Sequence, residues 1–165
     1  MKKFLSILIF QLVIYGFAHA GPDEKFLESS DIEQTKPALQ SDPFLQAEYL
    51  FHSGDILGAK PLYHDYLSQN PSGKRSYQAL FRLGSIDQSS RSFSSAIRFY
   101  QILLERFPKS ILTNSARFNM AVCHYELADY DHAEALFQKV LRSSPIKKSK
   151  WEAMVYLARI DEGRM

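Results

Sequence analysis

Three columns of residues recur at an offset of 37: Ala59, Ala96 and Ala133; Tyr63, Tyr100 and Phe137; Pro71, Pro108 and Pro145. Two further columns reach into a fourth repeat, namely Phe44, Phe81, Phe118 and Val155, and Ala47, Gly84, Ala121 and Ala158. A period between 20 and 50 residues constrains a fold strongly, because each unit is too small to bury its own apolar face and must stack on its neighbours. The repeats occupy residues 40–165, which are read as one repeat domain.

Within a unit the apolar spacing is helical. Leu80, Leu83, Gly84 and Ile86 follow one helical face, and Ala96, Tyr100, Leu103 and Leu104 follow another. Each unit therefore reads as two helices, A then B. The second unit predicts helix A over 76–89 and helix B over 93–107, closed by Pro108, which cannot continue a helix. In the third unit Ser110 is expected to cap a helix A running through Leu127, residues 128–131 to turn, and Asp129 and Asp131 to cap helix B, which ends before Pro145. The first unit opens with Asp42 as cap and Pro43 at the first helical position, and turns at Gly54 and Asp55. Pro61, at or just beyond the first turn of the next helix, predicts a slight kink. A fourth helix A covers 151–162 and has no helix B behind it.

Small residues where A meets B (Gly84 and Ala121 against Ala96 and Ala133), an aromatic four places on (Tyr100, Phe137) and a closing proline resemble the tetratricopeptide repeat family. The resemblance implies an all-α, right-handed α-α solenoid of three full helix pairs plus one terminal helix, with the A helices lining a concave side. The family's usual unit has 34 residues, so three extra residues sit in each B-to-A loop. Units lengthened in this way, with Phe107, Pro108, Lys109 and Ser110 before a polar helix start, are similar to repeats in two envelope families. These are the Tol–Pal-associated cell-division coordinator and the lipoprotein of the outer-membrane β-barrel assembly machinery. The sequence has neither the coiled-coil segment of the first nor the lipid-bearing cysteine of the second, so the resemblance transfers fold rather than role.

Residues 1–20 read as an export signal: Lys2 and Lys3, an apolar stretch from Phe4 to Phe17, and Ala18, His19 and Ala20 before Gly21. That stretch falls short of the roughly 20 residues a membrane-spanning helix needs. Cleavage after Ala20 is expected, leaving a periplasmic or secreted protein with no integral membrane span. Residues 21–39 are polar and read as a flexible lead-in. Loss of Lys2 and Lys3 reduces the 20 basic residues to 18, equal to the 18 acidic ones. A chain of zero net charge lacks the broad positive field that recruits nucleic acid. The basic run Lys147, Lys148 and Lys150, with Lys139 and Arg142 nearby, then reads as a solvated inter-repeat loop.

Little in the sequence suggests catalysis. Cys123 shares a column with Tyr49, Ile86 and Ile160, the inward apolar positions of the A helices, and reads as a buried structural thiol. As the only cysteine it makes no internal disulfide, which agrees with an oxidising compartment. His124 follows it directly, and adjacent helical residues point about 100° apart, a poor geometry for a nucleophile and its base. His52, His64 and His132 fall in three different columns and read as solvated or capping side chains rather than a metal set. Glycine-rich phosphate loops, nucleophile elbows and metalloprotease helix motifs are absent. The expected protein is therefore not an enzyme and carries no cofactor or metal.

Binding is the remaining activity. Positions four and three apart share a helix face, and on the A helices these positions form a candidate groove. The first two helices contribute Phe44, Glu48 and Phe51, then Phe81 and Ser85. The last two contribute Phe118, Val122 and Tyr125, then Val155 and Arg159. Equally open is a reading in which Phe44, Phe81 and Phe118 pack sideways as core. Capture of a C-terminal carboxylate calls for Lys, Arg and Asn, of which Arg159 alone is present, so an extended apolar peptide or a helix is the expected partner. Glu48 and Arg159 at opposite ends would orient it. The expected function is a non-catalytic protein-protein interaction scaffold in cell-envelope assembly. The alternative is a small-molecule or metal carrier, or an enzyme accessory, using the histidines. Trp151, Val155 and Leu157 on a helix with neighbours on one side predict self-association through 151–162 or docking of that edge.

Overall fold

The computed structural model describes residues 42–163, so the export signal and the lead-in lie outside the described residues. Asp42 begins the first helix by accepting the Phe44 N–H on its carboxylate at 2.9 Å, with Pro43 in the first turn. Seven helices follow: α1 (Pro43–Ser53), α2 (Ile56–Gln69), α3 (Ser76–Ser89), α4 (Phe93–Arg106), α5 (Thr113–Glu126), α6 (Tyr130–Ser143) and α7 (Lys147–Gly163). They form three A–B pairs and a final A helix, an all-α solenoid with no strand among the described residues. None is long and apolar enough to cross a membrane.

The turns inside the pairs share one geometry. Gly54, Arg91 and Ala128 lie 37 residues apart and all adopt a left-handed backbone, with φ of 87°, 60° and 57°. This is the position after a helix C-terminus where glycine is favoured, and only the first unit uses glycine there. The B-to-A loops share a second device. The Ser76 hydroxyl donates to the Asn70 carbonyl, and its counterpart Thr113 donates to the Phe107 carbonyl at 3.1 Å. Ser110 is therefore not the cap expected from sequence: its hydroxyl lies 3.2 Å from that of Thr113, and α5 starts at Thr113 because this loop needs the threonine to tie it back. The expected turn at 128–131 is also shorter, since α6 already begins at Tyr130.

Each core layer is finished by the next unit. The first cluster combines Phe44 and Ala47 with Ala59, Tyr63 and Tyr66 and closes with Ala79, Leu83 and Ile86 of α3. The third combines Ala121 with Ala133, Phe137 and Val140 and closes with Ala153 and Ile160 of α7. The terminal helix thus covers the face that α5 and α6 would expose. It begins at Lys147 rather than Trp151, so Lys147, Lys148 and Lys150 form its first turn and not a loop, with Lys148 3.9 Å from Glu152 one turn on. Ala158, which continues the small-residue column, is exposed, with no helix B packed against it among the described residues. Trp151 is 67% exposed, as its place on the edge suggests, whereas Leu157 is packed into the third cluster. Tyr49 departs from its column: the equivalent Ile86, Cys123 and Ile160 are buried, but Tyr49 is exposed on the first helix, which has no described A helix before it.

Gly84 sits where α3 packs on Tyr100 of α4. A Cβ there would lie 2.5 Å from Cε1 of Tyr100, so in the second unit only glycine lets α3 and α4 meet.

Candidate functional site

Helix α5 touches both α3 and α7, while no pair of B helices is in comparable contact. The A helices therefore form the inner side of the stack, and the candidate groove residues can be placed on it.

At the first end, Glu48 is tied down. Its carboxylate accepts from Arg82 Nε at 2.9 Å and Nη2 at 3.0 Å, and from the Tyr63 hydroxyl at 2.6 Å, with His52 Nε2 at 3.4 Å. Burial alone would raise the Glu48 carboxyl, but the bonds from Arg82 and Tyr63 and the guanidinium charge outweigh it and hold the group below its ordinary range. Burial and the carboxylate together push the Tyr63 phenol upward, so it donates as a neutral hydroxyl. Arg82 also covers the Phe51 ring, its guanidinium carbon 4.5 Å from the centroid. The expectation of Glu48 as a free negative end of the groove is corrected: it is half of a bidentate pair joining α1 to α3. Phe44 is likewise core, buried against Tyr66 (centroids 5.2 Å apart) and Tyr63 (6.0 Å).

The middle is mixed. Phe81 is half-buried with its ring 5.8 Å from Tyr100. The Tyr100 hydroxyl donates to Gln88 Oε1 at 2.9 Å, accepts from Asn119 Nδ2 at 3.2 Å and lies 3.3 Å from Ser85 Oγ. Burial pushes this phenol up to about 12.

The far end is aromatic. Tyr156 stacks on Phe137 at 4.9 Å and 11°, meets Tyr125 at 5.1 Å and Phe118 at 6.1 Å, and carries the Arg159 guanidinium at 5.7 Å. Tyr125 also touches Tyr130 at 5.6 Å. Phe118, Val122 and Tyr125 therefore act as core on one side and as surface on the other, with Val155 half-buried beside them and Arg159 exposed. Sequence reasoning missed Arg82 and Tyr156. Arg82 and Tyr156 share one column with Asn119 at the 37-residue offset, and its mixed chemistry of cation, amide and aromatic conceals the shared inward position.

Cys123 is fully buried, and burial pushes its thiol up to about 12, so it is a packing group as expected. The histidines fall into two groups. His52 and His64 stay apart, but His124 and His132 converge on Asp129 across the α5–α6 turn. His124 Nδ1 lies 2.9 Å from Asp129 Oδ2, and His132 Nδ1 lies 2.8 Å from Asp129 Oδ1. The two rings stack at 5.2 Å and 21°. Asp129 holds the cap position of α6, where the His132 N–H helps to lower its carboxyl, but its two oxygens are bonded chiefly to the His124 and His132 rings. The bond from His132 and that from His124 keep its carboxyl below the ordinary range. An ionised carboxylate only accepts, which assigns the proton of each ring to Nδ1. The spacing His124-x4-Asp129-x2-His132 carried this signal, read across a tight turn rather than along one helix.

A depression of about 470 Å³ lies elsewhere, between two B-to-A loops, with Tyr77 and Phe107 as walls and Lys74, Arg106 and Lys109 at its rim.

A tetratricopeptide repeat model matches residues 78–110 and 115–145, the α3–α4 and α5–α6 pairs. These two stretches are tetratricopeptide repeats. The crystal structure of MamA is similar to this chain with a TM-score of 0.57 and 12% sequence identity, over 85% of this chain and 98% of that one. At that identity the likeness establishes a shared fold. No curated protein matches the sequence. Tetratricopeptide repeats in this arrangement indicate a protein-protein interaction scaffold with protein partners.

Proposed function

We propose that the chain is an exported, non-catalytic scaffold that binds an extended peptide or a helix along the inner face of α3, α5 and α7, in the assembly of a cell envelope. One observation carries the reading. Phe81, Phe118, Val122 and Tyr125 form a half-buried apolar row beside the hydrogen-bonding side chains Ser85, Gln88 and Asn119. Such a row offers apolar anchors at alternate steps and polar groups for a peptide backbone between them. Arg82 and Asn119 add a cation and an amide to this face, but Glu48 occupies the first and Tyr100 the second. Arg159 is then an exposed cation, but the exposed Glu162 carboxylate lies three residues on along α7, so the face has no unopposed cationic cluster for a terminal carboxylate and favours an apolar partner. The envelope assignment rests on the signal-like residues 1–20 and on the resemblance of the lengthened units to envelope proteins.

Site-specific photocrosslinking in cells tests this. A crosslinker at Ser85 or Val122 should yield a discrete protein adduct in the envelope fraction, and one at the exposed B-helix positions Gln101 or Gln138 should not. Adducts from the B-helix positions alone would refute the reading. Tyr125→Ala is a poorer probe, because Tyr125 also packs on Tyr130 and Tyr156 and its loss costs stability as well as contact.

A further inference from the structure

We propose that His124, Asp129 and His132 form a binding site for a divalent transition-metal ion of the Zn2+ type at the α5–α6 turn. The reading is independent of the peptide-binding face. Two imidazole nitrogens and one carboxylate oxygen, all within 4.8 Å of one another, make an N2O donor set. Zinc sites with three protein ligands and a water use sets of this kind, with metal–nitrogen distances near 2.0–2.1 Å. Tetrahedral geometry at that distance separates ligand atoms by about 3.3 Å. The two ring nitrogens now lie 2.9 and 2.8 Å from different oxygens of Asp129, so to bind an ion the carboxylate turns one oxygen toward both nitrogens and the three donor atoms draw together from within 4.8 Å.

Exposure grades the three side chains in a useful order. His124 is 12% exposed and held by the packing of α5, Asp129 is 37% exposed in the turn, and His132 is 72% exposed on the first turn of α6. A fixed ligand, a bridging ligand and a mobile one can close on an ion from the solvent side, where water completes the coordination. Ion binding moves each ring proton from Nδ1 to Nε2 by exchange with solvent, so neutral rings release no net proton. Imidazole and carboxylate suit Zn2+ and its first-row neighbours, whereas Ca2+ and Mg2+ seek six or more oxygens.

The other units show that this is a local specialisation. The counterpart of Asp129 in the first unit is Asp55, which caps its helix by accepting the Gly58 N–H at 2.9 Å. The counterparts of His124 are Leu50 and Asp87, and those of His132 are Gly58 and Ser95. In the second unit the counterpart is Ser92, and only at Asp129 does the residue in this position meet two histidines.

Isothermal titration of the untagged full chain with ZnCl2 tests the site. One equivalent should bind, and MgCl2 at the same concentration should give no binding heat. His132→Ala and Asp129→Ala should each weaken the affinity more than tenfold, since even outer-sphere partners of metal ligands commonly cost 10–100-fold. His52→Ala should bind like wild type. Circular dichroism verifies folding, and the exposed position of His132 keeps that variant interpretable if His124→Ala fails to fold. Zinc binding by folded His132→Ala with wild-type affinity, or no binding by the wild-type chain at 100-fold excess zinc, would overturn the assignment.

Discussion

Gly84→Ala separates two opposed contributions to the stability of this stack. Alanine in the middle of a helix is favoured over glycine by about 1 kcal/mol, so helix propensity alone predicts a more stable protein. The structure predicts the reverse. The added methyl would lie 2.5, 2.8 and 2.8 Å from Cε1, Cδ1 and Cζ of Tyr100, against an optimal carbon–carbon separation of about 3.5–4.0 Å. Tyr100 has no free direction in which to yield: it is fully buried, and its hydroxyl is held by Gln88 and Asn119. The pair must spread by about 1 Å, and overpacking of this kind costs about 1–3 kcal/mol, occasionally more. Set against the propensity gain, the net effect expected is a loss of up to about 2 kcal/mol, read as a fall of up to about 10 °C in the thermal midpoint by far-ultraviolet circular dichroism. Tyr100→Leu costs stability by itself, but combined with Gly84→Ala the two losses should be less than additive, because the leucine removes the ring that the methyl strikes. A midpoint for Gly84→Ala above wild type would refute the steric argument and leave propensity in control.

Two further outcomes follow from named contacts. The Glu48 carboxyl is held below its ordinary range in the folded chain, so its contribution to stability is present above the unfolded value of about 4.3 and is lost as pH falls through the lower folded value. Urea midpoints of wild type should therefore drop on acidification below that range more steeply than those of Glu48→Gln, and parallel profiles would remove Glu48 from the account. Ala128→Gly should stabilise the chain by about 0.5–1 kcal/mol, because relief of the left-handed strain at φ 57° exceeds the added freedom of glycine in the unfolded state. A lower thermal midpoint for that variant would mean that the turn is held by contacts its backbone does not reveal.

The repeat and its helices were legible in the sequence because they rest on local causes. A spacing of 37 in five columns identified the stacked unit, helical periodicity identified the pairs, and Asp42, Pro43, Gly54 and Pro108 marked ends whose chemistry acts within one turn of chain. Helix α3 begins and ends at the predicted residues, and α4 stops one residue short. The candidate groove was legible only as a face. Whether Phe44 faces solvent or core depends on Tyr63 and Tyr66 across the pair, and whether Glu48 is a free charge depends on Arg82, 34 residues away. The His124, Asp129 and His132 cluster also needed the fold, since a left-handed residue at Ala128 turns α6 back so that its first turn meets the last turn of α5. Hydrophobic period and capping are properties of neighbours in sequence and can be read along it, whereas a side chain's partner is chosen by how two helices approach, which packing of the whole stack decides.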